Sequence, residues 1–220
     1  MSVNLLHEHC DVARFSQVVA NLSPEVVVTQ ELGHGAADVL ASSYPNHRLL
    51  TANDYTGRGI ATVFDVDFGD LEMPGRQGTT ATLSMGQLTL GLAGVHFRNP
   101  VDFPWWATAS DRRKQADELL EWVGTTPGPV VVAGDFNASP AWPTYKRMAD
   151  ELVDLIAEHA SATGVRTRPT WGWRPGWPRV LRIDHLFGRG VRVDDYMLVP
   201  IEGSDHAAIV ADLLVERSDT

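Results

Sequence analysis

Val130-Val131-Val132-Ala133-Gly134-Asp135-Phe136-Asn137 is an apolar, β-branched run that ends in a carboxylate and, two residues on, an amide. Turn-forming residues at 125–129 and 138–140 bound it, so it reads as a buried strand. Period-two alternation puts Asp135 and Asn137 on one face, where the strand runs out into a loop. Two uses of that pair stay open on this stretch alone. Strand ends that deliver polar side chains build active sites in α/β proteins. An Asp-x-Asn turn also caps a following helix.

Working outward, further strands end in the same way. Leu181-Arg182-Ile183-Asp184-His185-Leu186-Phe187 is an apolar strand with an Asp-His pair inside it. Gly203-Ser204-Asp205-His206 feeds a strand-like run over 207–215. Val26-Val27-Val28-Thr29-Gln30-Glu31 ends in a carboxylate, Gly94-Val95-His96 ends in an imidazole, and Asn4 lies in the first apolar run. Six strands that each deliver a metal-type or proton-transfer-type residue form a constellation.

The ordered set Asn4, Gln30-Glu31, His96, Gly134-Asp135-Phe136-Asn137, Ile183-Asp184-His185 and Ser204-Asp205-His206 resembles the endonuclease/exonuclease/phosphatase superfamily. The resemblance runs from Asn4 to Val215. Pro24-Glu25-Val26-Val27 before Gln30-Glu31 is similar to the small bacterial YafD-like branch. The resemblance implies an α/β, four-layer sandwich: two mixed sheets packed face to face and flanked by helices. It implies a Mg²⁺ or Mn²⁺ site at Glu31, with Asn4 or Asp205 nearby. It makes Asp135, Asn137, His206, Asp184 and His96 the catalytic group.

The composition is that of a globular, not a disordered, protein. A chain of 220 residues with 44% hydrophobic content is expected to be one domain over 1–220 with a substantial core. A net charge of −10 disfavours non-specific grip on a phosphate backbone, though bound cations can reverse the field at a site. The lone Cys10 excludes an internal disulfide and is expected to be buried. No run is long enough to span a membrane and no signal peptide is seen, so a cytoplasmic monomer is expected.

Between the motifs, Asp11 reads as the N-cap of a helix over 12–22 and residues 35–43 as a second helix. Residues 79–84 and 87–96 read as a hairpin. Residues 99–110 read as a loop, Asp111 as the cap of a helix over 112–123, and Pro140 as the start of another. Residues 152–156 are apolar and of open type. His7 and His9 read as loop residues, and His185 as structural, since alternation turns it away from Asp184. Arg58 is a candidate phosphate contact or a solvated loop residue. Trp171 and Trp173 lie in the turn-rich 170–178 stretch and read either as a substrate platform or as a lid on the core.

Phosphate-ester hydrolysis needs charge neutralisation, an activated water and help for the leaving oxygen. A cation at Glu31 serves the first. Asp135, with Asn137, serves the second, and His206, held by Asp184, the third. The expected activity is divalent-metal-dependent hydrolysis of a phosphodiester or phosphomonoester in a small molecule, a lipid head group or a nucleic acid. A DNA or RNA nuclease is the close alternative. A catalytically silent binding protein on the same scaffold is the alternative from another class.

Overall fold

The computed structural model describes residues 1–216. One six-stranded sheet runs β13 (Val191–Pro200), β14 (Ala207–Val215), β1 (Ser2–His7), β2 (Val26–Leu32), β4 (Arg58–Thr62), β3 (Asn46–Leu50). A second runs β5 (Asp65–Met73), β6 (Arg76–Met85), β7 (Leu88–His96), β8 (Val130–Asp135), β12 (Asp184–Arg189), β9 (Val153–Asp154). The pairs β1–β2 and β7–β8 are parallel and the others antiparallel, so both sheets are mixed.

The two sheets face each other across Val28, Ile60, Leu92, Val131, Ala133 and Ile209. The opposite face of the first sheet packs Val3, Leu5 and Val27 against Phe15 of α1 (Val12–Leu22) and Leu40 of α2 (His34–Ser43). That of the second sheet packs Val130, Val132 and Phe136 against Leu119 of α3 (Trp105–Thr125) and Met148 of α4 (Pro143–Ala149). Side-chain alternation explains the division, because each central strand is apolar on both faces. The expected sandwich is therefore observed. One helix is placed differently: α5 (Leu155–Thr163) seats Leu155 and Ile156 in the core between the sheets, beside Val191 and Val193.

Several boundaries depart from expectation. Helix α3 begins at Trp105, not after Asp111. Thr108 donates to the Asp102 and Pro104 carbonyls and closes the first turn, while Asp111 reaches Arg98 at 2.5 Å instead of capping. Helix α4 starts at Pro143, so the initiating proline is not Pro140. The 181–187 run is two strands, β11 (Arg179–Leu181) and β12, in different sheets. Residues 152–156 hold β9 and the start of α5, with Asp154 accepting from the Ala157 N–H as its cap. Cys10 is buried, and Asp11 caps α1 through the Arg14 N–H. Among the described residues no helix is long and apolar enough to cross a membrane.

Asp154 also carries a buried polar cluster. It accepts from Arg182 and from Tyr145 Oη, each at 2.8 Å, and His185 Nδ1 lies 3.4 Å away. Burial opposes its ionisation, but His185 and Arg182 hold the carboxyl well below the usual carboxylate range. A depressed carboxylate pKa contributes stability above the unfolded value, about 3.9, and loses it as pH falls through the folded value. Asp154→Ala should therefore cost about 3–5 kcal/mol at pH 7, since it strands Arg182. The gap to wild type should begin to narrow below about pH 4. Urea unfolding at pH 7 and pH 3 reads both.

Candidate active site

The strands bring the motif residues to one edge of the sandwich. His96, Asp135 and Asp184 stand side by side across β7, β8 and β12, because the register pairs His96 with Asp135 and Asp135 with Asp184. From the facing sheet, Asn4 pairs with Gln30 on β2, next to Glu31. The Asn4 amide bridges the two sheets: it donates to Glu31 Oε1 at 3.1 Å and to Asp135 Oδ2 at 3.2 Å. Its own oxygen accepts from the Leu6 N–H. Asn4 thus holds two carboxylates together rather than offering its oxygen outward.

Glycine is required beside the acid. Gly134 has φ 149°, and a Cβ there would meet the Val95 carbonyl oxygen at 1.9 Å. Gly203, at φ 86°, would meet the His9 carbonyl at the same distance. Left-handed φ in non-glycine residues clusters at this edge too, at Leu6, His7, Glu31 and Asn137. Each costs about 1–3 kcal/mol and marks a place where the surroundings dictate the backbone.

Asn137 therefore does not reach the site by strand alternation. It lies past the end of β8 at φ 47°. Its N–H donates to Asp135 Oδ1 at 2.7 Å, which is the Asx turn, and its amide faces His96 Nε2 at 3.3 Å. The pair forms an Asx turn but does not cap the following helix, whose N-cap is Trp142. Arg112, buried on α3, pins the loop by donating to the Phe136 and Asn137 carbonyls.

The imidazoles differ sharply in charge. His206 Nδ1 lies 2.9 Å from Asp184 Oδ2, and its Nε2 lies 3.8 Å from Asp135 Oδ2. Burial alone lowers the His206 pKa, but Asp184, with Asp135 and Asp205 behind it, pushes it up to about 10. His96 goes the other way: burial, then Arg76 and His206, take it down to about 3. Its Nδ1 sits 3.2 Å from the Tyr55 carbonyl, which only an Nδ1–H can satisfy. In that tautomer Nε2 accepts from Asn137. Burial and the adjacent Asp184 push Asp135 up to about 7, against His206 and the Asn137 N–H.

Residues outside the motifs complete the positioning. Thr170 Oγ1 accepts from the Ile183 and Asp184 N–H groups, both at 3.2 Å. Ser204 Oγ donates to the Asn4 carbonyl and accepts from the His206 N–H, tying the first strand to the last. His7 Nδ1 lies 3.0 Å from Glu31 Oε2, so His7 belongs to the site and not to a remote loop. His7 closes β1 three residues after Asn4, which corrects its reading from the sequence as a loop residue. His185 is structural as expected, its Nε2 2.8 Å from the Ala138 carbonyl.

A cavity of about 640 Å³ opens over Glu31, Asp135, Asn137, Asp205, His206 and His96. Trp171 and Trp173 line it, from a small hairpin of β10 (Trp171–Gly172) and β11. Trp171 Nε1 donates to Asp205 Oδ2 at 2.9 Å, and Trp173 is 67% exposed. Arg58 does not line this cavity; it lies in an adjoining one.

The donors fit a divalent cation. Among the described residues, Glu31, Asp135, Asp184 and Asp205 have only histidines within 4.0 Å as cationic partners. Asp205 Oδ1 is buried with no hydrogen-bond partner. Asp135, Asp184 and His206 are close enough to share an ion. They are also the most enclosed, at 2–5% side-chain exposure, against 12% for Glu31 and 15% for Asp205. A hard cation that keeps several waters fits the more open oxygens better.

A family profile described as Endonuclease/Exonuclease/phosphatase family matches residues 1–206. Solved structures are similar in fold. Humanized D. rerio TDP2 superposes with TM-score 0.76 at 20% identity, covering 97% of each chain. D. rerio TDP2 complexed with single-strand DNA product gives 0.73 at 18%, again covering 97% of each. The human Nocturnin catalytic domain with bound sulfate gives 0.71 at 17%, covering 97% of this chain and 92% of that one. No curated protein sequence matches this chain significantly.

Proposed function

The chain belongs to the endonuclease/exonuclease/phosphatase family, and from that premise we propose that it is a divalent-metal-dependent phosphodiesterase. Enzymes of this family typically hydrolyse phosphate esters and use divalent metals. The observation that carries the reading is the convergence of Glu31, Asp135 and Asp205 on one cavity, with Asp184 held against His206, without an Arg or Lys ion pair among the described residues. Such a charge density is held only with a cation or with bound protons.

Glu31 and the unpartnered Oδ1 of Asp205 are the residues that would hold the metal. Bound there, a Mg²⁺ or Mn²⁺ ion would neutralise charge on the phosphoryl oxygens. Asp135 takes a proton from the attacking water, and the Asn137 amide and the His96–Asn137 contact orient that acceptor. As the water oxygen bonds to phosphorus, the bond to the leaving oxygen breaks on the opposite side. His206, protonated at neutral pH, gives that oxygen its proton, and Asp184 holds the ring in place.

A nuclease is the second reading. Trp171, Trp173 and Trp142 all line the cavity, and aromatic faces stack bases. The fold neighbour from D. rerio is complexed with single-strand DNA product.

Hydrolysis of bis-(p-nitrophenyl) phosphate beside p-nitrophenyl phosphate tests the proposal. Turnover should be greater on the diester, should vanish in EDTA and should return with Mg²⁺ or Mn²⁺. Diester hydrolysis that persists in EDTA would overturn the metal dependence. Metal binding without hydrolysis of any phosphoester would favour a silent binding protein.

A further inference from the structure

Beside the active cavity lies a second one of about 330 Å³, lined by Tyr55, Arg58, Glu72, Arg76, Gln77 and His96. Tyr55, Arg76 and His96 line both, so the two adjoin. Two guanidinium groups enter it from neighbouring sheets, Arg58 from β4 and Arg76 from β6. The Nε atoms of both are buried and make no hydrogen bond. Arg76 makes no ion pair among the described residues; its guanidinium stacks on the Tyr55 ring, 3.7 Å from the centroid. Arg58 donates to Gln77 Oε1 at 2.8 Å, with Asp70 Oδ1 3.6 Å away.

Two acids lie nearby: Asp70, shared between Arg58 and Arg48, and Glu72, which lines the same cavity. Asp70 binds Arg48 at 2.5 Å, and Glu72 accepts from Gln77 Nε2 at 3.3 Å. Two partly buried guanidiniums thus line one cavity, in a chain of net charge −10. A guanidinium fork matches phosphate oxygens, and desolvation strengthens the pairing. On the other flank of the active cavity, between α3 and α4, Arg112 is committed to carbonyls and the Thr144 hydroxyl and Arg147 to Asp117, and Arg113 is exposed.

We propose that the Arg58–Arg76 cavity is a second phosphate subsite, which receives the phosphate next to the scissile one in a nucleic-acid strand. This rests on the phosphodiesterase reading of the adjoining site. It implies that a dinucleotide with a terminal phosphate is the smallest good substrate.

The test compares thymidylyl-thymidine with the same dinucleotide carrying a 5′- or a 3′-phosphate. Calorimetric binding to Asp135→Asn protein and wild-type kcat/KM are both measured. One terminal phosphate should tighten binding and raise kcat/KM about tenfold. Arg58→Gln or Arg76→Gln should bring the ratio close to one, mostly through KM. The ratio is insensitive to a general loss of activity, and either variant decides should the other fail to fold. Equal binding of all three dinucleotides would overturn the subsite, as would a preference that survives both variants. Preferential binding without hydrolysis by wild type would support the subsite and sink the phosphodiesterase reading.

Discussion

Asp135→Asn should lower kcat about 10³-fold while leaving a fold at least as stable as wild type at pH 8 in EDTA. The loss follows from removing the proton acceptor, an effect of about 10²–10⁴. The stability follows from linkage. Burial raises the Asp135 pKa to about 7, so the folded state holds that proton more tightly than the unfolded chain does. Ionised Asp135 therefore weakens the wild type progressively as pH rises from about 4 through about 7. Asparagine removes the ionisation and keeps one oxygen, for either the Asn137 N–H or the Asn4 amide, which bond different carboxylate oxygens, so the lost bond offsets part of the gain. Activity together with urea midpoints at pH 5 and pH 8 reads both effects. Near-wild-type turnover would remove Asp135 from the mechanism.

His206→Ala should reduce kcat by about 10²–10⁴, and Asp184→Asn should change its pH dependence. With Asp184 present, His206 titrates near pH 10, so its proton is available across the neutral range. Replacing Asp184 removes the largest raising influence, and burial then dominates and drives the histidine pKa down. Asp184→Asn should therefore lose activity as pH rises through the neutral range, where wild type does not lose its His206 proton. The two substitutions should be far from additive, since both act through one imidazole. A pH profile of Asp184→Asn parallel to wild type would show that His206 does not act as the acid.

Much of this site was legible because its residues sit at the ends of strongly apolar strands. Val130–Val132 and Val26–Val28 can only be central strands, and the polar residues at their C-terminal ends must emerge at an edge. The Asp184–His206 pairing was legible from the motifs, and so was the structural role of His185. Boundaries were harder where two local signals competed. Asp111 has the form of a cap, yet Arg98 claims it. Residues 65–73 alternate acidic and apolar side chains and form β5, whose pairing with β6 shows only in register. Arg58 was a candidate from its place before a strand, whereas its neighbour Arg76 carries no local signal.

The amino-acid sequence by itself showed which apolar strands carry polar ends, and its motifs gave the resemblance that implies the sandwich and the candidate set Asn4, Glu31, His96, Asp135, Asn137, Asp184, Asp205 and His206. The strand ends were legible because burial periodicity and strand-end chemistry are local properties; the fold and the roles came from the resemblance those motifs carry. The tertiary structure alone decided the rest. It put His7 on Glu31, made Thr170 the support of Asp184, turned Asn137 into a left-handed corner, and set His96 and His206 to opposite charge states. The physical reason is that charge depends on burial and on neighbours from distant strands. Asn4 and Asp135 are 131 residues apart in sequence and 3.2 Å apart in space, and only the folded sandwich brings such groups together.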